Sequence, residues 1–298
     1  MILNHQPIDI KSHKYVPLFA NVNGIRMHYR VFSEGMESTQ VNCALPTMIV
    51  LHGGPGFVDH QVELPAWRVF SSSLQVIFLD QRGCGRTDDG DPDLWNLDQH
   101  GEDVFQFCKV LGIDHPIVAG LSWGGYVAMA YASKHPEHPT ALIFCNTEAK
   151  VSIENIRDML EKLGGKEVGD VAYTYYIAPE TPGNFEKFIE KCVPFFSKTP
   201  LQLISPTRVN MPIRIKFIKE ENSTFNFLPV LHKIQCPTLV IAGECDPCHP
   251  AQGAKEIFSH LLPERSQLCI IPDAGNPVYQ DQPEKFREAV NNFLKTII

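Results

Sequence analysis

Short apolar, β-branched runs alternate with longer stretches whose apolar residues recur every three to four positions. The runs at 25–32, 47–51, 76–79, 117–119, 141–144, 238–241 and 268–271 predict strands; the periodic stretches at 62–73, 97–111, 123–134, 251–262 and 283–296 predict helices. Near-continuous apolar strands separated by amphipathic helices are the pattern of an α/β fold, a mostly parallel central sheet with helices on both faces. From 149 to 236 the rhythm stops for 88 residues, and the chain becomes helical, proline-dotted and aromatic, with Tyr173, Tyr175, Tyr176, Phe195 and Phe196. The strand pattern then resumes, so the expected organisation is a core of 1–148 and 233–298 with 149–232 inserted as a helical cap or lid over the edge where open α/β sheets bind ligands.

Composition narrows the partners. Of the 298 residues, 44% are hydrophobic and 20% charged, and the mean hydropathy is −0.11, as in globular chains. The net charge of −8 argues against nucleic acid or an anionic membrane surface as partner, because both select a basic footprint. That acidity belongs to the core: residues 149–236 carry 12 Lys and Arg against 10 Asp and Glu, the remainder 14 against 24. No run approaches the roughly 18 apolar residues of a membrane span, and the first 14 residues lack the apolar stretch of a signal peptide, so a cytoplasmic location is expected. Nine cysteines at scattered spacings fit reduced thiols. The pair Cys245 and Cys248 has CxxC spacing but no second pair, so no metal and no organic cofactor are expected.

Two glycine-rich turns carry chemistry. Gly120-Leu121-Ser122-Trp123-Gly124 lies between a predicted strand and a predicted helix, the context in which a serine is held on a tight, strained elbow as a nucleophile. His52-Gly53-Gly54-Pro55-Gly56 follows the strand at 47–51 and can aim a backbone amide at the serine's target carbonyl. The amides of Gly54 and Trp123 are the expected oxyanion hole, and Gly53, Glu148 and Tyr175 the expected substrate contacts. His52 reads as structural, because the turn uses backbone and not imidazole.

These turns, in order with Asp80-Gln81-Arg82-Gly83-Cys84-Gly85-Arg86-Thr87 and the extended GLSWGG at 120–125, resemble the proline iminopeptidase branch of the α/β-hydrolase superfamily. The resemblance spans nearly the whole chain and is weakest in the lid. It implies the α/β-hydrolase fold and a triad in the order Ser, acid, His, with the acid after a late strand and the histidine after the last one. Asp246, in Gly243-Glu244-Cys245-Asp246, matches the acid; the DQRG segment is expected to shape a neighbouring loop. In the last loop, Asp273-Ala274-Gly275-Asn276-Pro277, Asn276 stands where the resemblance requires histidine. Asparagine cannot shuttle a proton near neutral pH, and losing the base costs on the order of 10⁶ in turnover.

The remaining histidines offer no evident substitute: His249 lies three residues past Asp246, His232 precedes the strand leading to it, and neither occupies the last loop. The expectation is a serine hydrolase acting on a small acyl substrate and inactivated by a His-to-Asn change, since Ser122, Asp246 and both turns are intact. The alternative from another class is a non-catalytic ligand-binding relative. A serine at the elbow leaves ester, lactone, thioester or amide cleavage. An aminopeptidase of the proline iminopeptidase type needs carboxylates for the substrate's ammonium, and Glu148, Glu220 and Glu221 are candidates. Some relatives place a glutamate directly after the catalytic acid; here Pro247 follows it. Between 196 and 219 the chain carries five cations (Lys198, Arg208, Arg214, Lys216, Lys219) and no acid, which tilts the expectation towards an ester or lactone.

Overall fold

A computed structural model describes residues 16–200 and 208–298; the first 14 residues, where no signal peptide is expected, lie outside the described residues. Among the described residues nine strands form one sheet: β1 (Leu18–Val22), β2 (Ile25–Ser33), β3 (Met36–Ser38), β4 (Thr47–Leu51), β5 (Gln75–Leu79), β6 (Ile117–Leu121), β7 (Ala141–Cys145), β8 (Thr238–Gly243) and β9 (Ser266–Ile271). Their order is β1-β2-β5-β4-β6-β7-β8-β9, with β3 paired to β2. From β5 to β9 every pairing is parallel; β1, β2 and β3 add an antiparallel end.

The helices are α1 (Leu64–Trp67), α2 (Leu97–Leu111), α3 (Trp123–Lys134), α4 (Ile153–Gly164), α5 (Lys166–Ile177), α6 (Asn184–Lys191), α7 (Met211–Glu220), α8 (Ala251–His260), α9 (Val278–Asp281) and α10 (Pro283–Leu294). Alternate residues of β4 explain the two layers. Ile49 and Leu51 join a core with α2, α3 and α8, while Met48 and Val50 join a second core with Trp67, Phe70 and the α10 residues Phe286, Val290 and Phe293. Apolar residues on both faces are what a doubly covered sheet demands.

Three elements depart from the sequence pattern. β1 buries only Ala20 and Val22, too short an alternation to register; it exists by pairing antiparallel with β2. β3 is short and buries no apolar residue, and follows the tight turn at Glu34 and Gly35. The helix expected at 62–73 breaks into α1 and short 3₁₀ turns, with Pro65 in its first turn and serines at its end. Between β7 and β8 the described residues contain helices and no strand, and α7 reaches back over the core. The Asn210 amide donates to the Gly56 carbonyl at 2.7 Å, and its side chain donates to the Gly83 carbonyl at 3.0 Å. No helix among the described residues is long and apolar enough to cross a membrane.

Candidate active site

The parallel strands end on one edge, and their following loops converge there. Ser122 sits between β6 and α3 at φ 52° and ψ −119°, a conformation that a non-glycine residue adopts at a cost and that recurs at functional turns. The flanking glycines are needed because backbone meets backbone: a Cβ at Gly120 would overlap the Gly124 carbonyl, and one at Gly124 the Leu51 carbonyl. The HGGPG turn packs against the serine, since a Cβ at Gly53 would lie 3.5 Å from that of Ser122. Trp123 follows directly and opens α3.

The DQRG loop braces this turn. Gln81 donates from its side chain to the His52 carbonyl at 2.8 Å, and His52 Nδ1 lies 2.6 Å from the Gly53 carbonyl. Asp80 binds His28 Nδ1 at 2.7 Å and His60 Nδ1 at 2.8 Å; against the cost of burial, these contacts hold its carboxyl well below the usual range. Among the described residues, His28, His60 and Asp80 are the one group whose ligand-type atoms cluster within 4.8 Å. Both Nδ1 atoms are already spent on the carboxylate, so the group reads as a hydrogen-bonded bracket. Arg82 closes a buried fork onto Asp103 at 2.7 and 2.9 Å.

Asp246 and Asn276 meet as the sequence placed them, but without an imidazole. Asp246 Oδ2 accepts from Asn146 at 2.7 Å and from Asn276 at 3.1 Å, while Oδ1 accepts the backbone amides of Cys248 at 2.8 Å and His249 at 2.9 Å. Both oxygens are therefore occupied by neutral donors. Asn276 is further pinned by its amide, which donates to the Phe196 carbonyl of the insertion at 2.6 Å.

The expectation that no other histidine reaches the serine does not hold. His249 Nε2 lies 2.9 Å from Ser122 Oγ, and on the far side of the ring Nδ1 lies 3.2 Å from Glu148 Oε1 and 3.3 Å from the Tyr126 hydroxyl. The error was to equate position in the last loop with position in space. Asp246 bends the chain after β8 by capping the amides at 248 and 249, and that bend swings His249 over the elbow. Burial pushes the His249 imidazole down, with Asp246 pulling the other way; burial also pushes the Glu148 carboxyl up. The signal available in sequence was the chain order Ser122, Glu148, His249, which repeats Ser, acid, His with both partners one strand earlier.

The expected substrate contacts also change. Glu148 is buried against His249 and is no open receptor for an ammonium. Glu220 pairs with Lys216, and Glu221 accepts the Leu97 amide, so the other two candidates are committed as well. Tyr175 is fully buried and its hydroxyl accepts from Arg214 Nε at 2.7 Å, which puts it behind the site. All nine cysteines are free thiols, with Cys248 buried and Cys245 partly exposed.

This sheet order, with a serine on the strand-turn-helix elbow and a glycine-rich turn beside it, defines a hydrolase core. The chain belongs to the alpha/beta hydrolase fold family, whose model matches residues 46–283. It lies in the proline iminopeptidase-like branch: it is 26% identical over 300 residues to a proline iminopeptidase of Heyndrickxia coagulans, covering 95% of this chain and all of that one. A monoacylglycerol lipase of Xenopus laevis is 25% identical over 262 residues, covering 85% and 76%. The solved structure of an enol-lactonase from Burkholderia xenovorans LB400 superposes with a TM-score of 0.66 at 20% identity, covering 93% of this chain and all of that one. The relatives are hydrolases, and hydrolysis is the activity class of this chain.

Proposed function

We propose that this protein is a serine hydrolase of small carboxylic esters or lactones, active as it stands, with Ser122 as nucleophile, His249 as base and Glu148 as the acid that orients it. The observation that carries this reading is the 2.9 Å contact between Ser122 Oγ and His249 Nε2 at the strained elbow. Serine and imidazole within hydrogen-bond reach, with a third group behind the imidazole, is the geometry an activated nucleophile needs. It replaces the inactivated form expected from Asn276.

His249 Nε2 takes the hydroxyl proton as Ser122 Oγ bonds to the acyl carbon. The carbonyl π pair moves to oxygen, where the amides of Gly54 and Trp123 stabilise it. The intermediate collapses, the acyl–oxygen bond breaks, and the leaving alkoxide takes the proton from His249. Water then attacks the acyl-enzyme, losing a proton to His249, and Ser122 departs with that proton to leave a carboxylic acid. Glu148 accepts from Nδ1–H, which fixes the tautomer with Nε2 free, and its charge stabilises the imidazolium.

Esters and lactones are favoured over N-terminal amides because Glu148, Glu220 and Glu221 are all engaged, leaving none of these three to meet an ammonium. A panel of aryl esters, acyl lactones and proline aryl amides tests the reading. Turnover of an ester or lactone by wild type, abolished in Ser122→Ala, is the expected result; turnover of the proline amide alone would restore the aminopeptidase reading, and none on any would refute hydrolysis by this serine.

A further inference from the structure

The five cations between 196 and 219 separate into two kinds. Four lie at the surface with a carboxylate partner: Lys198 with Asp273 at 2.8 Å, Arg208 with Asp89 at 2.8 Å, Lys216 with Glu220 at 2.6 Å and Lys219 with Glu180 at 3.0 Å. The fifth, Arg214 on α7, is 6% exposed. Its Nε donates to the Tyr175 hydroxyl at 2.7 Å and its Nη1 to the Gly54 carbonyl at 2.9 Å, and the guanidinium lies 4.7 Å from the centre of the Phe57 ring. These neighbours are neutral, and among the described residues no carboxylate stands within ion-pairing distance of it.

A buried guanidinium without an anion is costly, and chains that keep one pair it or use it. Its place indicates use. Gly54 is the residue whose amide is proposed above to meet the oxyanion, and Gly53 beside it packs on Ser122, so Arg214 is tied to the turn that flanks the serine. Its planar fork suits a carboxylate better than a lone ammonium would.

We infer that Arg214 is the recognition site for a carboxylate on the substrate, so that the natural substrate is an ester or lactone carrying an acid group near the scissile bond. This rests on the serine hydrolase reading and narrows it to anionic substrates. The same cation would repel the ammonium of an N-terminal residue.

The test compares kcat/KM for matched pairs of probes: mono-4-nitrophenyl glutarate against 4-nitrophenyl pentanoate for an acid on the acyl side, and 4-acetoxybenzoate against phenyl acetate for one on the leaving group. Wild type is expected to favour the anionic member of one pair by about 10- to 100-fold, the scale of a hydrogen-bonded charge contact. Arg214→Gln should erase that ratio and Arg214→Lys retain part of it. A purely structural Arg214 would instead lower both members of a pair equally, and that result, or a wild type without preference in either pair, overturns the inference while leaving the hydrolase reading intact. Calorimetric binding of the same probes to Ser122→Ala decides the point without turnover: tighter binding of an anionic probe supports it, and equal binding overturns it.

Discussion

On the proposed reading a single imidazole activates the serine. His249 joins Ser122 to Glu148, and the contact between the two titratable groups is buried, so Glu148 and His249 are expected to exchange protons as a pair. Burial raises the carboxyl and lowers the imidazole. With one proton on the pair, either the ring is charged and cannot accept from Ser122, or the carboxyl is neutral and cannot support an imidazolium. Raising the pH removes that proton and switches the base on, so kcat/KM should rise along an acid limb set by the pair. In Glu148→Gln the limb belongs to His249 alone, and loss of the nearby negative charge moves it to lower pH. Turnover there should drop by about 10²- to 10⁴-fold, as when a triad acid is neutralised. A pH profile whose limb stays in place in Glu148→Gln would remove Glu148 from the mechanism.

The loop after β8 and the first turn of α8 act as one element. Asp246 takes the amides at 248 and 249, which fixes the bend that presents His249, and Asn146 and Asn276 hold Asp246 from the other side. Gly253, in the first turn of α8, leaves the space that Glu148 fills: a Cβ there would lie 2.5 Å from Glu148 Cγ. Gly253→Ala should therefore displace the carboxylate and cut kcat by about 10²-fold, the cost of an ångström-scale misplacement, while far-ultraviolet circular dichroism stays unchanged. A kcat within twofold of wild type would show that the close packing is irrelevant to catalysis. Elements such as α2 were legible in sequence because their limits are local: Asn96 caps its first turn and Gly112 closes it at φ 67°. β1 was not, since its two buried residues carry too little pattern and its existence depends on β2.

Across the whole molecule, the sheet edge gathers residues far apart in sequence, and that separates what was legible from what was not. Ser122 was legible because the elbow is a local strand-turn-helix with glycines forced by backbone contact. The DQRG loop's bracing role, expected only from the resemblance, rests on contacts between residues 20 to 52 positions apart. His249 was missed because it lies 127 positions from Ser122, and no spacing reports how the loop after β8 bends once Asp246 caps it. Asn276 drew attention as a gap in a family pattern, yet in the fold it is tied to Asp246 and to the Phe196 carbonyl of the insertion. On the proposed reading the imidazole reaches the serine from the loop after β8 and not from the last loop.

The second-order rate at which a fluorophosphonate labels Ser122 tests that claim most directly, because it reports activation of the serine without requiring the true substrate. The account predicts ready labelling of wild type, a loss on the order of 10⁴-fold or more in His249→Gln, and no gain over wild type in Asn276→His. An inert wild-type serine that becomes reactive in Asn276→His, with His249→Gln making no difference, would contradict it.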